Sequence, residues 1–397
     1  MSMRVACLID SLGPGGAQRQ LALLAALLQR RGMHVTVITY HPHDFFRHII
    51  EAAGVAYRCV ATRSKAHRVL ALRQELRRGG YDAVLAFLDG GCLYAELAAL
   101  PRRTWGLVVS ERLAAPAPGW RDGLRRRLHL VADYVTTNSH TNRLMIEGAV
   151  PRLAGRVMTV YNAVDLERFR PAPHRPARQA NELHFLVVAN GQRKKNLAGL
   201  IEAITLVHER VPGLDVTVDW YGGLRPHADG PPDSALGDAV ALIERYGLTR
   251  RIRLHPATYS IETGYQAADA LILPSFFEGL PNAVCEAMAC GRPVLMSAVC
   301  DAGNLVRESW NGFLFDPCSP DDIARAIIAF GALTPAERQE FGERSRAMAE
   351  EIFDAEQFAA LYARILSAAA QHERIEAIHW LPAVPATAYQ SLAEAAA

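Results

Sequence analysis

The 397-residue chain has no apolar run approaching the roughly 20 residues that cross a bilayer as a helix. The longest candidate, Leu21–Leu28, is closed by Gln29–Arg31. Asp10 and a glycine-rich turn precede it and no small-residue cleavage site follows, so it does not read as a signal peptide. The seven cysteines are odd in number, scattered, and form no CxxC pair. That argues against a disulfide framework and fits cysteine used as a small hydrophobe in a reduced cytosol, with Cys285 and Cys290 read as core. No HExxH, no Cys/His cluster at zinc spacing and no Asp-x-Asp after an apolar strand occurs, so no metal or other cofactor is expected. His41 and His43, flanking Pro42, read as an exposed loop pair. A net charge of +2 and the lack of any recognised motif argue against nucleic acid as a partner.

What is present is a globular composition: 50% of residues are hydrophobic and 21% charged. The length favours two domains. The near-neutral charge hides an asymmetry. Residues 1–178 hold 26 Lys/Arg against 13 Asp/Glu, a net +13, and the remainder hold 17 against 28, a net −11. All but one of the first half's basic residues are arginines, the exception being Lys65. Arginine suits bidentate contact with phosphate. Arg121–Arg127, four arginines around Leu124, Leu128 and Leu130, reads as a basic face that meets anionic lipid, against the plainer alternative of a solvated helix face.

Met3–Ile9, His34–Thr39, Ala83–Leu88, Leu107–Ser110 and Tyr134–Thr137 read as buried strands. Helical stretches separate them: Ala17–Arg30, Ala66–Arg77 and Leu124–Val131. Pro171, Pro173 and Pro176 mark a linker, after which the pattern restarts. Strands are expected at His184–Val188, Val216–Tyr221, Ile252–Leu254, Ala270–Leu273, Pro293–Ser297 and Gly312–Phe315. Helices are expected at Leu197–Arg210, Ala239–Tyr246, Val284–Ala289, Asp322–Phe330, Pro335–Glu350 and Glu356–Ala370, with a Gly/Pro-rich loop at Leu224–Gly237. Alternating strands and helices predict an α/β protein with parallel sheets. The expected organisation is a first domain over 1–172 that takes back a helix at about 356–375, a second domain over 173–355, and a tail over 376–397 that docks through Trp380 or is loosely ordered.

The chemistry concentrates in Leu273–Pro293. A strand ends at Leu273, a loop carries Glu278 and Gly279, and Pro281 suits the first turn of a helix from Asn282 that ends at Gly291. A helix start at the C-terminal edge of a parallel sheet is a ready anion site. Glu278 and Glu286 would repel phosphate and make sense as acceptors of hydrogen bonds from hydroxyls. A surface loop with two ordinary acids is the bland alternative. A second segment, Asn190–Asn196, clusters Arg193, Lys194 and Lys195 at a helix start, where the dipole disfavours cations unless an anion offsets them. A third, Gly15-Gly16-Ala17-Gln18-Arg19, lets backbone approach a ligand after the first strand, although alone it is ordinary turn chemistry.

Glu278-Gly-Leu-Pro-Asn-Ala-Val-Cys-Glu286 resembles the E-x7-E region of the retaining glycosyltransferases of family 4, and Glu286–Val294 resembles the helix and strand that follow it. The resemblance implies a GT-B fold, two Rossmann-like domains facing a central cleft. It implies that Glu286 holds the ribose of a nucleotide diphosphate sugar, that Glu278 contacts the transferred sugar, and that the backbone of Gly279 and Leu280, with Pro281 and Asn282, meets the diphosphate. Gly15 and Gly16 would face that diphosphate, and Lys195 would neutralise it with Arg193, since the family arginine falls nearer Asn190. Catalytic candidates are thus Glu278, Arg193 and Lys195. Gln18 and Arg19, where the family commonly has Glu-Arg, and Ser110, Glu111 and Arg112, where many relatives carry a histidine, are acceptor-side candidates. Ser-Glu-Arg is similar to some bacterial amino-sugar transferases of surface polysaccharides, and Tyr161–Asp165 resembles the stretch before the linker.

The implied reaction moves a hexose or N-acetylhexosamine, from UDP by frequency within the family, to a saccharide or lipid-linked acceptor, with retention of configuration by front-face attack. The expected place is the cytoplasm, with contact at the inner face of the membrane. A nucleotide-sugar epimerase or hydrolase on the same fold, and a non-catalytic partner subunit, are the rival readings.

Overall fold

The computed structural model describes residues 2–112, 120–173, 178–222 and 234–378. The first part of the Leu224–Gly237 loop, Pro176 of the linker, and the tail from His379 with Trp380 lie outside the described residues. The chain divides into two compact units, whose described residues fall within 2–163 and 355–378 in one and within 164–354 in the other.

The first unit is built on seven parallel strands: β1 Arg4–Leu8, β2 His34–Thr39, β3 Ala56–Cys59, β4 Ala83–Phe87, β5 Gly106–Glu111, β6 Tyr134–Thr137 and β7 Val157–Thr159. Their order is β3-β2-β1-β4-β5-β6-β7. The inner strands are almost wholly buried because helices cover both sheet faces, which is why they read as continuous apolar runs. The helix Gly16–Arg30 buries Leu21, Leu24, Ala25 and Leu28 in one of the two core clusters. The helix Ala355–Gln371 adds Phe358, Tyr362, Ile365 and Leu366 to that cluster.

The second unit repeats the plan with β8 Glu182–Val188, β9 Asp215–Tyr221, β10 Ile252–His255, β11 Ala270–Leu273, β12 Val294–Ser297 and β13 Gly312–Phe315. Its order is β10-β9-β8-β11-β12-β13, again all parallel. In each unit the winding reverses direction once, between β1 and β4 and between β8 and β11.

The division at Ala163/Val164 comes ahead of the proline cluster. The amide of Val164 donates to Phe353 O at 3.1 Å, and Phe169 packs edge-on against Tyr265, so the segment before the prolines already belongs to the second unit. The expected loop at Leu224–Gly237 gives way at its end to a helix, Ser234–Arg245. Two strands of the first sheet had no expectation attached. β3 is a short edge strand with a largely exposed face, and β7 is three residues long, so neither makes a marked apolar run. The helix Leu88–Ala99 starts directly off β4, with Leu88 itself taking a left-handed φ of 65° and with the helix-disfavouring Gly90 and Gly91 in its first turn, so no ordinary start signal announces it. Among the described residues no helix is long and apolar enough to cross a membrane.

Gly106, at the start of β5, lies under the last helix. A Cβ there would sit 2.2 Å from the carbonyl carbon of Ala369, a backbone atom that cannot swing aside. Gly106→Ala is therefore expected to cost roughly 1–3 kcal/mol by overpacking. A lowered urea midpoint would show it, and an unchanged midpoint would mean that the helix shifts without cost.

Candidate functional site

In the second unit, the loops leaving β8 and β11 are neighbours because those strands pair at the point where the winding reverses. Ligands bind open parallel sheets at such a point, outside the carboxyl ends of the strands. The first loop carries Asn190–Asn196 and the second carries Pro274–Pro281. They are tied by the amide of Phe276, which donates to Lys194 O at 2.9 Å. Each leads into a helix, Leu197–Arg210 and Asn282–Ala289.

The two loops bring Lys195 and Glu278 together. The Lys195 ammonium donates to Glu278 Oε1, and both side chains are largely covered, at 14% and 12% exposure. Ser275 Oγ donates to the same oxygen at 2.8 Å. The Glu278 backbone is held by Cys300, whose Sγ accepts from its amide at 3.3 Å and donates to its carbonyl. Cys300 has a left-handed φ of 54°, and burial pushes its thiol up to about 12, so it is a neutral clip. Beside the pair, burial and then the Lys195 charge hold the Lys194 ammonium below its ordinary value. Asn196 takes the left-handed N-cap position, φ 56°, accepting from Gly199 N at 3.2 Å and donating to Pro317 O at 2.8 Å.

Glu286 lies on the helix after the second loop and is 2% exposed. Tyr265 donates its hydroxyl to Glu286 Oε2 at 3.0 Å. Leu280 and Pro281 are buried at the helix start, Gly279 precedes them, and no side chain caps that start. Asn282 opens the helix, half-buried. Asn190 is half-buried too, its Oδ1 accepting from Gln192 N at 3.3 Å. Arg193 stands apart from the Lys195–Glu278 pair: it is 71% exposed and reaches Asp238 at 3.3 Å. Among the described residues no group of three or more His, Cys, Asp or Glu is arranged to hold a metal ion.

The first unit sets Gly15 and Gly16 at the equivalent reversal point, after β1. Gln18 folds back over Gly15, where a Cβ would lie 2.1 Å from Gln18 Oε1, and its Nε2 donates to Asp10 Oδ1 at 3.0 Å. Arg19 is half-buried one residue further along the helix. Ser110, Glu111 and Arg112 are all buried. Glu111 accepts from Arg126 Nη2 at 2.6 Å and faces His129 Nε2 at 3.2 Å, while His129 Nδ1 bonds Glu96. This corrects the reading of Arg121–Arg127 as one basic face. Arg126 is 3% exposed and turned inward, because Glu111 needs a counter-charge, and Arg125 pairs with Asp89 at 3.1 Å. Leu124 and Arg127 point outward.

Both family models that match are glycosyltransferase models. "Glycosyltransferase Family 4" spans residues 14–168 and "Glycosyl transferases group 1" spans residues 182–331. The chain belongs to the family 4 glycosyltransferases. It is 27% identical to the D-inositol 3-phosphate glycosyltransferase of Actinosynnema mirum over 82% of this chain and 85% of that one. It is 34% identical to that of Salinispora tropica over 66% of this chain and 59% of that one. Anabaena HepE, solved in complex with UDP and glucose, superposes with a TM-score of 0.78 at 20% identity, covering 92% of this chain and all of that one. TarM superposes with a TM-score of 0.76 at 11% identity, covering 92% of this chain and 99% of that one. These likenesses establish the GT-B fold.

Within this glycosyltransferase, sequence reasoning missed the residues that position the candidates. Tyr265, Ser275 and Cys300 lie outside the recognised spacings, and only Ser275, three residues before Glu278, was close enough to be found by inspection. The Glu96–His129–Glu111–Arg126 network was also missed, since its members come from four elements.

That network has a pH signature. Burial opposes protonation of His129, but hydrogen bonds and charge from Glu111 and Glu96 outweigh it and raise the pKa above the ordinary 6.5. Burial likewise opposes ionisation of Glu111, but His129 and Arg126 outweigh it and lower the pKa below 4.5. The histidine's contribution to stability is thus full below 6.5 and lost as pH rises through the raised folded value. The glutamate's is full above 4.5 and lost as pH falls through the lowered value. Unfolding free energy from urea titration should fall as pH rises above 6.5, and His129→Gln should flatten that fall. An equally steep fall in the variant would remove His129 as its source.

Proposed function

We infer that this glycosyltransferase moves a hexose or N-acetylhexosamine, with retention of configuration, from a nucleotide diphosphate sugar to a saccharide or lipid-linked acceptor in the synthesis of cell-surface glycans. UDP is the favoured nucleotide. The observation that supports this most is the convergence of Lys195 and Glu278, from two loops, at the reversal point of the second unit's sheet. A cation and a hydroxyl-accepting carboxylate side by side suit a sugar diphosphate, the one for the leaving phosphate and the other for the sugar. The family resemblance supports Glu286 on the ribose and the backbone of Gly279 and Leu280 on the diphosphate.

In this reading Lys195 exchanges partners. Without donor it is paired to Glu278, and an arriving diphosphate draws it away and frees Glu278 for a sugar hydroxyl. Charge developing on the leaving phosphate is met by Lys195, with Arg193 in support, and by the start of the Asn282–Ala289 helix, with no metal. Front-face attack, in which the leaving phosphate helps deprotonate the acceptor, needs no protein nucleophile. The complexes of HepE with UDP and with UDP-glucose support UDP as the nucleotide. The net +13 of the first half supports work at the inner face of a membrane, with Leu124 and Arg127 outward.

Lys195→Met should lower kcat/KM for the donor about a hundredfold while the fold persists. Glu286→Ala should weaken UDP binding measured by calorimetry, and unchanged affinity would remove Glu286 from the ribose. Turnover should depend on added acceptor, and NMR of the product should show the anomeric configuration of the donor. A product of inverted configuration would sink the retaining reading, and turnover without acceptor would point to a hydrolase or epimerase.

A further inference from the structure

Arg112, which follows β5, is 6% exposed and has no carboxylate partner among the described residues. Its Nη1 donates to Asn162 Oδ1 at 2.7 Å, its Nε reaches Ser110 Oγ at 3.5 Å, and its guanidinium carbon stands 4.2 Å from the centre of the Phe87 ring. The Tyr362 hydroxyl also bears on it. Nη2 is buried without a hydrogen-bond partner among the described residues. The other buried arginines among the described residues are handled differently. Arg126 has Glu111, while Arg292 and Arg338 donate to backbone carbonyls. Arg112 has neither. A covered cation without a carboxylate among the described residues is costly, and an anion beside it would offset that cost.

The surroundings name the sign and kind of that group. The β5–β6 register pairs Glu111 with Thr137, so Arg112 runs alongside Asn138. Asn138, 4% exposed, turns an acceptor, its Oδ1, to this cation's side of the sheet edge, and Asn142 is fully covered with its Nδ2 donor unpartnered among the described residues. Asn142 belongs to the first turn of the ten-residue helix His140–Ala149, which is capped by Ser139 and has no acid in that turn. A buried cation, the Asn142 amide nitrogen and a helix start, gathered at the carboxyl ends of β5 to β7, form the donor set of an oxyanion site.

We propose that Arg112, with Asn142 and the Ser139-capped helix start, forms a subsite in the first unit for a phosphoryl group of the substrate. This rests on the transferase reading only for the role: on that reading the group belongs to the acceptor, which is then a phosphorylated saccharide or polyol or a lipid-linked diphosphate. The donor's own diphosphate is the other source of the same chemistry.

The test uses the full chain with inorganic phosphate and with UDP as probes. In phosphate-free buffer Arg112→Gln, which keeps a donor for Asn162, should melt no lower than the wild type, because it removes an uncompensated charge. Added phosphate should raise the wild-type melting temperature and should bind the variant at least about tenfold more weakly. If UDP binding by calorimetry is the same in both proteins, the phosphoryl group is the acceptor's. If UDP binding is lost together with the phosphate response, it is the donor's. A wild type indifferent to phosphate, or a variant that melts lower in every buffer with an unchanged phosphate response, would make Arg112 a structural cation and overturn the proposal. None of these melting readings depends on Glu286, Glu278 or turnover, so failure here is distinct from failure of the transferase reading.

Discussion

A parallel strand cannot pair with its successor through a tight turn, so every crossover helix returns the chain to the same edge of the sheet. All strand ends of one kind, and all helix starts, therefore gather on one side. Where the winding reverses, two crossovers leave by opposite faces and the loops of two adjacent strands are left uncovered between them. In the second unit those loops belong to β8 and β11, and they carry Lys195 and Glu278. In the first unit they belong to β1 and β4, and they carry Gly15 and the abrupt reversal at Leu88. Placement of polar groups follows from this one constraint, because only that edge offers helix starts to an anion without breaking the core.

The same edge forces a choice on every charge that sits near it. The first unit satisfies one pair of buried acids with His129 and Arg126. The second unit treats Asp219 likewise: burial opposes its ionisation, but His184, His255 and Arg253 hold its pKa well below the usual carboxylate range. Both are closed sets, in which each acid has its counter-charge within the protein. Lys195–Glu278 is closed as well, but by a single ion pair and one hydroxyl, so it is the set that an incoming diphosphate could exchange most readily. Arg112 is not closed by charge at all, which is why it carries the inference about a phosphoryl group.

How much of this was legible in the sequence depended on how locally each feature is encoded. The buried inner strands announce themselves because burial on both faces demands unbroken apolar residues, and the expected spans of β2 and β6 coincide with those of the structure. The E-x7-E segment is legible because a strand end, a loop and a helix start follow one another within one stretch of chain. β3 was not legible because an edge strand needs no apolar run, nor was the helix at Leu88, because Gly90 and Gly91 in its first turn disfavour a helix by local propensity. Arg126 read as surface because its neighbours Arg125 and Arg127 are arginines too. Only the position of Glu111, fifteen residues earlier in the chain, turns it inward.

This locality also explains why one half of a transferase is easier to recognise than the other. The donor-side candidates of the second unit come from two short segments, 190–196 and 273–293, so their spacing is visible without a structure. The polar edge of the first unit draws on Phe87, Ser110, Arg112, Asn138, Asn142, Asn162 and Tyr362, side chains from strand ends and helices spread over most of the chain. No spacing rule can bind residues so far apart, and each taken alone is unremarkable. On the proposed reading the donor side is compact in sequence and the acceptor side is dispersed. Specificity for the acceptor is then to be sought in unpartnered buried groups such as Arg112, where the chemistry is incomplete, rather than in any motif.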